Sequence, residues 1–307
     1  MSLSQRVKDV LAKENIEARF DEPMHLHTAY KIGGKADCAV FPNGVAQIKT
    51  VVELCRAEDI PYAVIGGGTN LLVSDDGIRG VVIICAKNMR TLEADGERIR
   101  AGAGVLLGKV ASFAAELSLT GMEPISGIFG CVGGAVAMNA GAYGGEVSDV
   151  LESVVCYSPA EDCVLTLTPQ ESEYGYRTSV YLKRGYIVLE AVFKLQFGDK
   201  TQIRSAMAEF AKRRNDKQPL EFPSCGSVFK RPEGHFAGAL IEQAGLKGYQ
   251  IGGAAVSEKH AGFIINKGGA TAADVCALIA YIQETVKARF GVELECEVKT
   301  LGFDTTR

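Results

Sequence analysis

Two residues that could donate a proton lie close together in PSCGSVFKRP at 223–232. Cys225 carries a thiol, whose ordinary pKa is about 8.5, and Ser227 carries a hydroxyl in a turn flanked by glycine. The thiol is nominally the stronger acid, because a hydroxyl needs a polarising environment before it can give up its proton. Read alone, Cys225 is interpreted as a small packed side chain and Ser227 as a structural turn residue, so a general acid here is a hypothesis.

Basic residues concentrate around this pair. From Lys212 to Arg231 the sequence has six Lys or Arg and two Asp or Glu, so this window carries +4, whereas the whole chain of 307 residues carries −4. The near balance argues against nucleic-acid binding, for which a basic domain is expected. The local excess favours a small anionic ligand, with Lys217 and Lys230 as candidates beside Arg231. A solvated basic helix end is the alternative.

Glycine-rich runs supply the other candidate binding groups, because 17 of the 35 glycines lie between Gly66 and Gly145. In GGGTNLLVSD at 66–75, consecutive glycines allow backbone N–H groups to approach an anion closely, and a tight turn between strands is the alternative. The run at 124–147 favours close backbone approach to a flat or phosphorylated ligand, with tight packing as the alternative. GAGVLLG at 102–108 mimics a dinucleotide fingerprint, but no buried parallel strand precedes it, so a turn and helix start is predicted there.

The apolar pattern places these residues on a framework of mixed α and β elements. It predicts helices over 3–14, 44–58, 106–118, 199–217, 237–244 and 272–289, and strands over 36–41, 62–65, 80–85, 150–158, 163–168, 186–195 and 292–301. The chain length predicts about two folding units. We place their boundary near residue 200, before a polar helix that ends at Gln218 and Pro219.

Other features of the sequence bear on compartment and partners. No stretch reaches the 18 or more apolar residues of a membrane span, and charges stand where a signal peptide needs an apolar segment. A cytosolic protein with no membrane, nucleic-acid or obligatory protein partner is therefore expected. The nine cysteines include no CxxC pair, so most are expected to be small buried residues, and no metal is expected.

With these motifs located, nearly the whole chain resembles the UDP-N-acetylenolpyruvoylglucosamine reductases, the MurB flavoenzymes of peptidoglycan precursor synthesis. It resembles their shorter subtype, which lacks an extra segment over the substrate. One departure is Phe129, where the family usually has a proline that would stiffen the turn. The resemblance rests on seven segments in the same order: TAYKIGGKAD at 28–37, GGGTNLLVSD at 66–75, SGIFGCVGGAVAMNAGAYGGEV at 126–147, YGYRTSVY at 174–181, PSCGSVFKRP at 223–232, AGALIEQAGLKGYQIGGAAVSEKHAGFIIN at 237–266 and GVELECEVKTLG at 291–302.

The resemblance implies an α+β fold with three parts. An N-terminal helix and lead-in would occupy 1–32, and 33–197 would form an FAD-binding domain of the vanillyl-alcohol-oxidase (PCMH) type, built from two α/β subdomains. A C-terminal α+β substrate-binding domain would occupy 205–307. Residues of the glycine loops would hold FAD without a covalent bond: Gly66, Gly67, Gly68, Thr69, Asn70, Ser126, Gly127, Gly130, Gly133, Gly134, Asn139 and Gly141.

The reaction implied by the resemblance is reduction of UDP-N-acetyl-enolpyruvoylglucosamine to UDP-N-acetylmuramate, in which NADPH reduces FAD and reduced FAD passes hydride to the enolpyruvyl methylene carbon. Ser227 would donate the proton, Arg177 would bind the carboxylate by paired hydrogen bonds, and Glu297 would help to stabilise the enol. Without the family, the favoured interpretation of Arg177 is a salt-bridged surface residue. Periodicity cannot choose among Glu293, Glu295 and Glu297, which share the acidic face of the last predicted strand.

Two other functions remain open at this stage. One is a flavin oxidase of the same fold that acts on another alcohol or sugar, although PSCGSVFKRP and GVELECEVKTLG speak against it. The other is a nucleotide-sugar binding protein without chemistry, which would lack bound flavin and the set of Arg, Ser and Glu. A flavin spectrum separates these possibilities.

Overall fold

The computed structural model describes residues 3–303. The chain forms two compact units, and neither is one continuous stretch of sequence. The first unit comprises Met1–Phe20, Cys38–Gly67 and Gly80–Arg214, and the second comprises Asp21–Asp37, Gly68–Arg79 and Asn215–Arg307.

Eight α-helices lie in the described residues, and six of them agree with the predicted helices to within a few residues. The two short helices α4 and α5 were not predicted, because fewer than two turns are too short to show a 3.6-residue period. The helices are α1 (Gln5–Lys13), α2 (Val45–Ala57), α3 (Leu107–Glu116), α4 (Val132–Ala137), α5 (Val180–Arg184), α6 (Lys200–Lys217), α7 (Ala237–Gln243) and α8 (Ala272–Phe290), with 3-10 turns at Met24–His27, Glu123–Ile125 and Val147–Val150.

The described residues also form eighteen strands, many of them only two or three residues long. The strands predicted in the first two thirds of the chain are confirmed. In chain order they are β1 (Glu17–Pro23), β2 (Lys35–Phe41), β3 (Tyr62–Ile65), β4 (Leu71–Val73), β5 (Ile78–Ile84), β6 (Leu92–Asp95), β7 (Arg98–Gly102), β8 (Leu119–Thr120), β9 (Gly141–Ala142), β10 (Gly145–Glu146), β11 (Leu151–Ser158), β12 (Cys163–Leu167), β13 (Ile187–Lys194), β14 (Gln196–Phe197), β15 (Gln250–Ile251), β16 (Ala254–Val256), β17 (Ile264–Asn266) and β18 (Lys299–Leu301).

Two sheets contain most of the strands in the first two thirds of the chain. One has the order β1-β2-β5-β3, and β3 runs parallel to β5. The other has the order β12-β11-β13-β7-β6, and all its pairs are antiparallel. Because β7 lies between two antiparallel neighbours, the run at 102–108 does not follow a parallel strand, and the rejection of a dinucleotide fingerprint is confirmed.

Apolar side chains explain why these elements pack as they do. In the first unit, α2 and α3 turn buried faces that include Ile48 and Val110 toward the same core as Phe193 of β13. The second unit has its own core, in which Val275 and Ile282 of α8 take part. Each unit therefore buries a separate apolar cluster, as its length allows.

The predicted strand over 292–301 is wrong in its extent, because only β18 at its end is regular. The segment before β18 forms a single bridge between Cys296 and Phe229. Its alternation is partly kept, since Leu294 and Val298 are buried. A continuous ladder would need one long partner strand, and the strands of the second unit are only two or three residues long.

The two compact units differ from the contiguous division that was expected at 33, 197 and 205. The segments 21–37 and 68–79 join the C-terminal residues in the second unit. One physical reason is that β4 pairs in parallel with β18, Leu72 opposite Thr300. Pairing between distant strands leaves no signal in local periodicity, and the assignment of FAD and substrate to separate domains stays a prediction.

The start of α8 is stabilised from a distant part of the chain. The carboxylate of Asp75 accepts hydrogen bonds from the N–H groups of Ala272 at 2.8 Å and Ala273 at 3.0 Å. We expect Asp75→Ala to lower the free energy of unfolding by about 1 to 2 kcal/mol, because it leaves two helix-terminal donors without this acceptor. Asp76→Ala is the matched control in urea unfolding, since Asp76 is the next residue and is also exposed. Equal effects of the two substitutions would contradict the capping role.

Most of the cysteines are buried, as expected. All nine cysteines lie within 3–303 and are free thiols, and six of them are buried. In this described part of the chain, no helix combines the length and the apolar character needed to cross a membrane.

Candidate active site

The first glycine loop starts at the end of β3. A Cβ atom at Gly66 would lie 2.8 Å from the Sγ of Cys131, so only glycine lets this loop pack against the second glycine run. The backbone N–H of Gly67 also interacts with the Cys131 thiol, whose pKa is raised, chiefly by burial. Two of the predicted cofactor loops are therefore in contact within the first unit.

The second glycine run folds back onto the turn at 102–108. Leu107 donates its N–H to the carbonyl of Gly130 at 2.9 Å, and Gly133 donates to the carbonyl of Ala103 at 2.9 Å. A Cβ at Gly133 would lie 3.0 Å from the Cβ of Ala103. The run that mimicked a dinucleotide fingerprint thus supports the second glycine run, and it begins α3 as predicted.

Phe129 lies at the outer edge of this loop, with 64% of its surface exposed. The next residue, Gly130, has φ +146°, a conformation that L side chains rarely adopt. Glycine therefore makes the bend at this point, and the backbone bond from Leu107 holds the loop in place. The aromatic side chain contributes little to the core.

Arg177 sits in a tight turn at 175–178 with φ +57°, a left-handed conformation that costs a non-glycine residue about 1 to 2 kcal/mol. Strain of this kind clusters at functional sites. The guanidinium donates to the carbonyls of Gly141 at 3.1 Å and Asn139 at 3.4 Å, and it lies 4.9 Å from the ring centre of Tyr176. The second glycine run therefore orients this arginine.

The side chains of two predicted cofactor residues are engaged within the protein. Asn139 is fully buried, and its amide donates to the carbonyl of Gly175 at 3.4 Å and accepts from the N–H of Ser148 at 3.1 Å. Ser126 donates its hydroxyl to the carbonyl of Glu123 at 2.7 Å. These contacts shape the loops from within, so any contact of Asn139 with a cofactor would come from its backbone.

The remainder of the first glycine loop belongs to the second unit. Gly68 has φ +63°, and a Cβ there would lie 1.9 Å from the carbonyl oxygen of His27. Asn70 donates its side-chain amide to the carbonyl of Glu297 at 3.1 Å and accepts the N–H of Lys299 at 3.0 Å. Asn70 thus ties the loop to the backbone of a predicted catalytic residue 227 positions away.

One backbone hydrogen bond joins the segment that carries Glu297 to the residue that follows Ser227. Ser227 forms a bridge with Phe263, and the carbonyl of the next residue, Val228, accepts the N–H of Glu297 at 2.7 Å. Val228 is fully buried, whereas Ser227 is exposed and Glu297 is half-buried. The exposed hydroxyl and the carboxylate therefore extend from adjacent backbone segments anchored in the core.

The three glutamates of the C-terminal segment have different surroundings. The side chains of Glu293 and Glu295 are 76% and 72% exposed, and they form ion pairs with Lys287 and Lys230 respectively. Glu297 alone among the three is half-buried. The structure thus distinguishes residues that periodicity could not.

Cys225 is a poor alternative to Ser227 as the proton donor. It is only 4% exposed in the core of the second unit. Burial raises the pKa of its thiol to about 12, and the charge of Glu297 adds to the effect. The thiol is neutral and shielded at physiological pH, as expected of a packed side chain.

Comparison with known proteins gives the family. The FAD binding domain model matches residues 36–164, and the model of the UDP-N-acetylenolpyruvoylglucosamine reductase C-terminal domain matches residues 218–301. The reductase of that name from Clostridium kluyveri (strain NBRC 12016) is 48% identical over 301 residues, which cover 97% of each chain. The chain belongs to this reductase family. The relative from Agathobacter rectalis is 51% identical over 294 residues, covering 92% of this chain and 93% of its own.

A solved structure agrees with this assignment. The crystal structure of UDP-N-acetylenolpyruvylglucosamine reductase (MurB) from Thermus caldophilus matches with a TM-score of 0.78 and 35% identity, covering 93% of this chain and 98% of its own. The α+β fold class is thereby confirmed. As a MurB reductase, the protein is a flavoenzyme of peptidoglycan and cell-wall synthesis, and its cofactor is FAD.

Gly134 shows that the glycine loops of this MurB chain fit such a cofactor. It is exposed in the first turn of α4, and a Cβ built there would meet no atom within 4 Å. Packing therefore does not require glycine at this position, unlike Gly66 and Gly133. Open backbone surface of this kind allows close approach by a large flat ligand, so the residues of the glycine run at 126–141 would fit FAD.

The basic residues predicted to meet the substrate have separate surroundings in the MurB second unit. Lys230 forms an ion pair with Glu295, and the guanidinium of Arg231 lies 4.0 Å from the ring centre of Phe236. Lys217 is exposed at the end of α6. Two of the three cations are therefore held in place by neighbouring side chains.

Arg214 was not among the residues predicted from the sequence. It belongs to the same basic window, but nothing in the local pattern separates it from Arg213. In the structure the two arginines differ, because Arg214 is half-buried and Arg213 is exposed. A Cβ at Gly127 would lie 2.9 Å from the Nε of Arg214. The contact joins the end of α6 to a predicted cofactor loop within the first unit.

Proposed function

We propose that this MurB reductase converts UDP-N-acetyl-enolpyruvoylglucosamine to UDP-N-acetylmuramate with NADPH, using Ser227, Arg177 and Glu297. The observation that supports the proposal is the backbone bond from Glu297 to Val228, which links the segment of a half-buried carboxylate to the segment of the exposed Ser227. A proton donor and an enol-stabilising group are the two functions that this reduction demands of a protein. The neighbouring thiol of Cys225 is too buried to compete.

Residues of the glycine loops would hold FAD, and the cofactor would supply the hydride chemistry of the reaction, from NADPH to the methylene carbon of the enolpyruvyl group. As the new C–H bond forms, the electron pair of the double bond moves to the adjacent carbon and into the carboxylate. Ser227 Oγ would give its proton to that adjacent carbon, which completes the lactyl ether, and the exposed serine would then regain a proton from water. Exposure of Ser227 at its turn is what allows a substrate to reach the hydroxyl.

Arg177 would bind the substrate carboxylate. Its guanidinium is already oriented by the carbonyls of Gly141 and Asn139, so little conformational freedom is lost when an anion binds. A planar guanidinium offers paired donors to a carboxylate, and the pairing strengthens as charge moves onto the carboxylate during the reaction. Glu297 would act on the same enol with Ser227.

The pyrophosphate and the carboxylate of the substrate are negatively charged, so the protein must also supply positive charge to bind them. Lys217, Lys230 and Arg231 supply local positive charge on the second unit, close in sequence to Ser227. Their role would be long-range attraction and contact with the phosphates.

The purified protein tests the proposal directly. We expect a flavin absorption spectrum, bleaching by NADPH under anaerobic conditions, and return of the spectrum when UDP-N-acetyl-enolpyruvoylglucosamine is added. A colourless protein would favour a nucleotide-sugar binding function. Reoxidation by oxygen but not by the enolpyruvyl sugar would favour an oxidase, and NADH in place of NADPH measures the preference for the reductant.

A further inference from the structure

The end of α6 carries two adjacent arginines in different environments. Arg213 is 53% exposed, forms an ion pair with Glu209 and lies 5.8 Å from the ring centre of Phe210. Arg214 is half-buried, and its guanidinium lies 5.8 Å from the ring centre of Tyr143. One arginine therefore faces water, whereas the other is packed against the glycine-rich run at 124–147.

Gly127 makes the close approach of Arg214 possible. A Cβ built at Gly127 would lie 2.9 Å from Nε, 3.4 Å from Cδ and 3.6 Å from Cζ of Arg214. Gly127 has no positive φ, so its backbone would accept alanine, and the space of the missing side chain is occupied by the arginine. Glycine is therefore needed at position 127 to leave room for the side chain of Arg214, and its backbone conformation does not require it.

The aromatic neighbours keep the guanidinium in this place. Tyr143 lies at the tip of the β9–β10 hairpin with φ +53°, and its ring lies 5.2 Å from that of Phe210 on α6. Arg214 is thereby enclosed between the helix, the hairpin and Gly127. Burial lowers the pKa of Arg214 from its ordinary value, yet an arginine stays protonated in proteins, so a positive charge is held partly out of water.

We propose that Arg214 is a positioning residue that holds the Gly127 loop and, through its charge, makes the bound flavin easier to reduce. A cation held close to a cofactor stabilises the form that has gained electrons, and the effect is larger where water is partly excluded. The proposal rests on the proposed function in one respect, namely the placement of FAD on the loop that includes Gly127.

The test measures the reduction potential of the holoenzyme in a dye-coupled titration without substrate. The wild-type protein is expected to bind reduced FAD more tightly than oxidised FAD. For Arg214→Met we expect the ratio of these two affinities to fall at least tenfold. For a two-electron couple, this change lowers the reduction potential by about 30 mV. Gly127→Ala should lower the potential in the same direction, because the added methyl displaces the guanidinium. Arg214→Lys, which keeps the charge, should shift it less.

Arg213→Met is the matched control, since it removes an adjacent exposed charge, and its potential should equal that of the wild type. Unchanged potentials in both Arg214→Met and Gly127→Ala would overturn the proposal, as would an equal shift in Arg213→Met. If Arg214→Met does not fold, Gly127→Ala decides, because it retains the arginine. The titration needs no enolpyruvyl sugar, so a wild-type enzyme that binds FAD but fails to reduce that substrate would refute the proposed function alone.

Discussion

Ser227→Ala is expected to slow reoxidation of the reduced flavin by the enolpyruvyl sugar by about 10²- to 10⁴-fold, the usual contribution of a positioned general acid. Reduction of the flavin by NADPH should continue at nearly the wild-type rate, because that half-reaction takes no proton from this hydroxyl. Stopped-flow absorbance of the flavin, with each half-reaction started separately, measures both effects. The fold should be intact, since Ser227 is exposed and its anchor is the backbone around Val228.

Cys225→Ala provides the control from the same turn. Its thiol is buried and has a pKa of about 12, so the substitution should leave both half-reactions close to wild type. It should lower the free energy of unfolding by about 1 kcal/mol, because a small buried group is lost. The opposite pattern, in which the cysteine variant fails to reoxidise and the serine variant does not, would assign the proton to the thiol.

Glu297→Gln is expected to reduce kcat by about 10²- to 10³-fold with a smaller change in KM, as for the loss of one group that stabilises charge in a transition state. Glutamine preserves the size of the side chain and cannot exchange a proton as a carboxyl group does. The half-buried position beside Cys225 keeps this group partly out of water, where its effect on developing charge is greater.

Glu295→Gln is the matched comparison two residues earlier in the same segment. Its carboxylate is 72% exposed and pairs with Lys230, so turnover should stay within about twofold of wild type, as for a surface ion pair. Steady-state kinetics of the two variants at equal flavin content measure the contrast. Full turnover by Glu297→Gln would exclude its role with the enol.

Local sequence was sufficient for the elements whose pattern repeats over several turns or along a buried strand. Helix α8 shows apolar residues at a helical spacing, and β13 is a mostly apolar run interrupted by Glu190, so both were predicted with nearly correct ends. The segment at 292–301 alternates just as clearly and still forms only a three-residue strand. Alternation reports which side chains are buried, whereas a strand also requires a partner of matching length.

The candidate site divides in the same way. Seven segments in order identified the family and its candidate residues, and Ser227 and Glu297 were named before any contact was known. The link between the backbone segments of these two residues is the hydrogen bond from Glu297 to Val228. The hydrogen bond from Asn70 to Glu297 spans 227 positions. Contacts over such separations leave no local period, so they could not be predicted from one sequence.

The α+β class, the reductase family and the glycine loops could all be predicted from the sequence, because short runs of residue types are enough to recognise them. Only the tertiary structure decided that 68–79 belongs with the C-terminal residues, that one of three glutamates is half-buried, and that Arg214 differs from Arg213. Burial and charge environment depend on which distant segments pack together. A glycine shows where another group can approach the backbone closely, but only the folded chain shows which group that is.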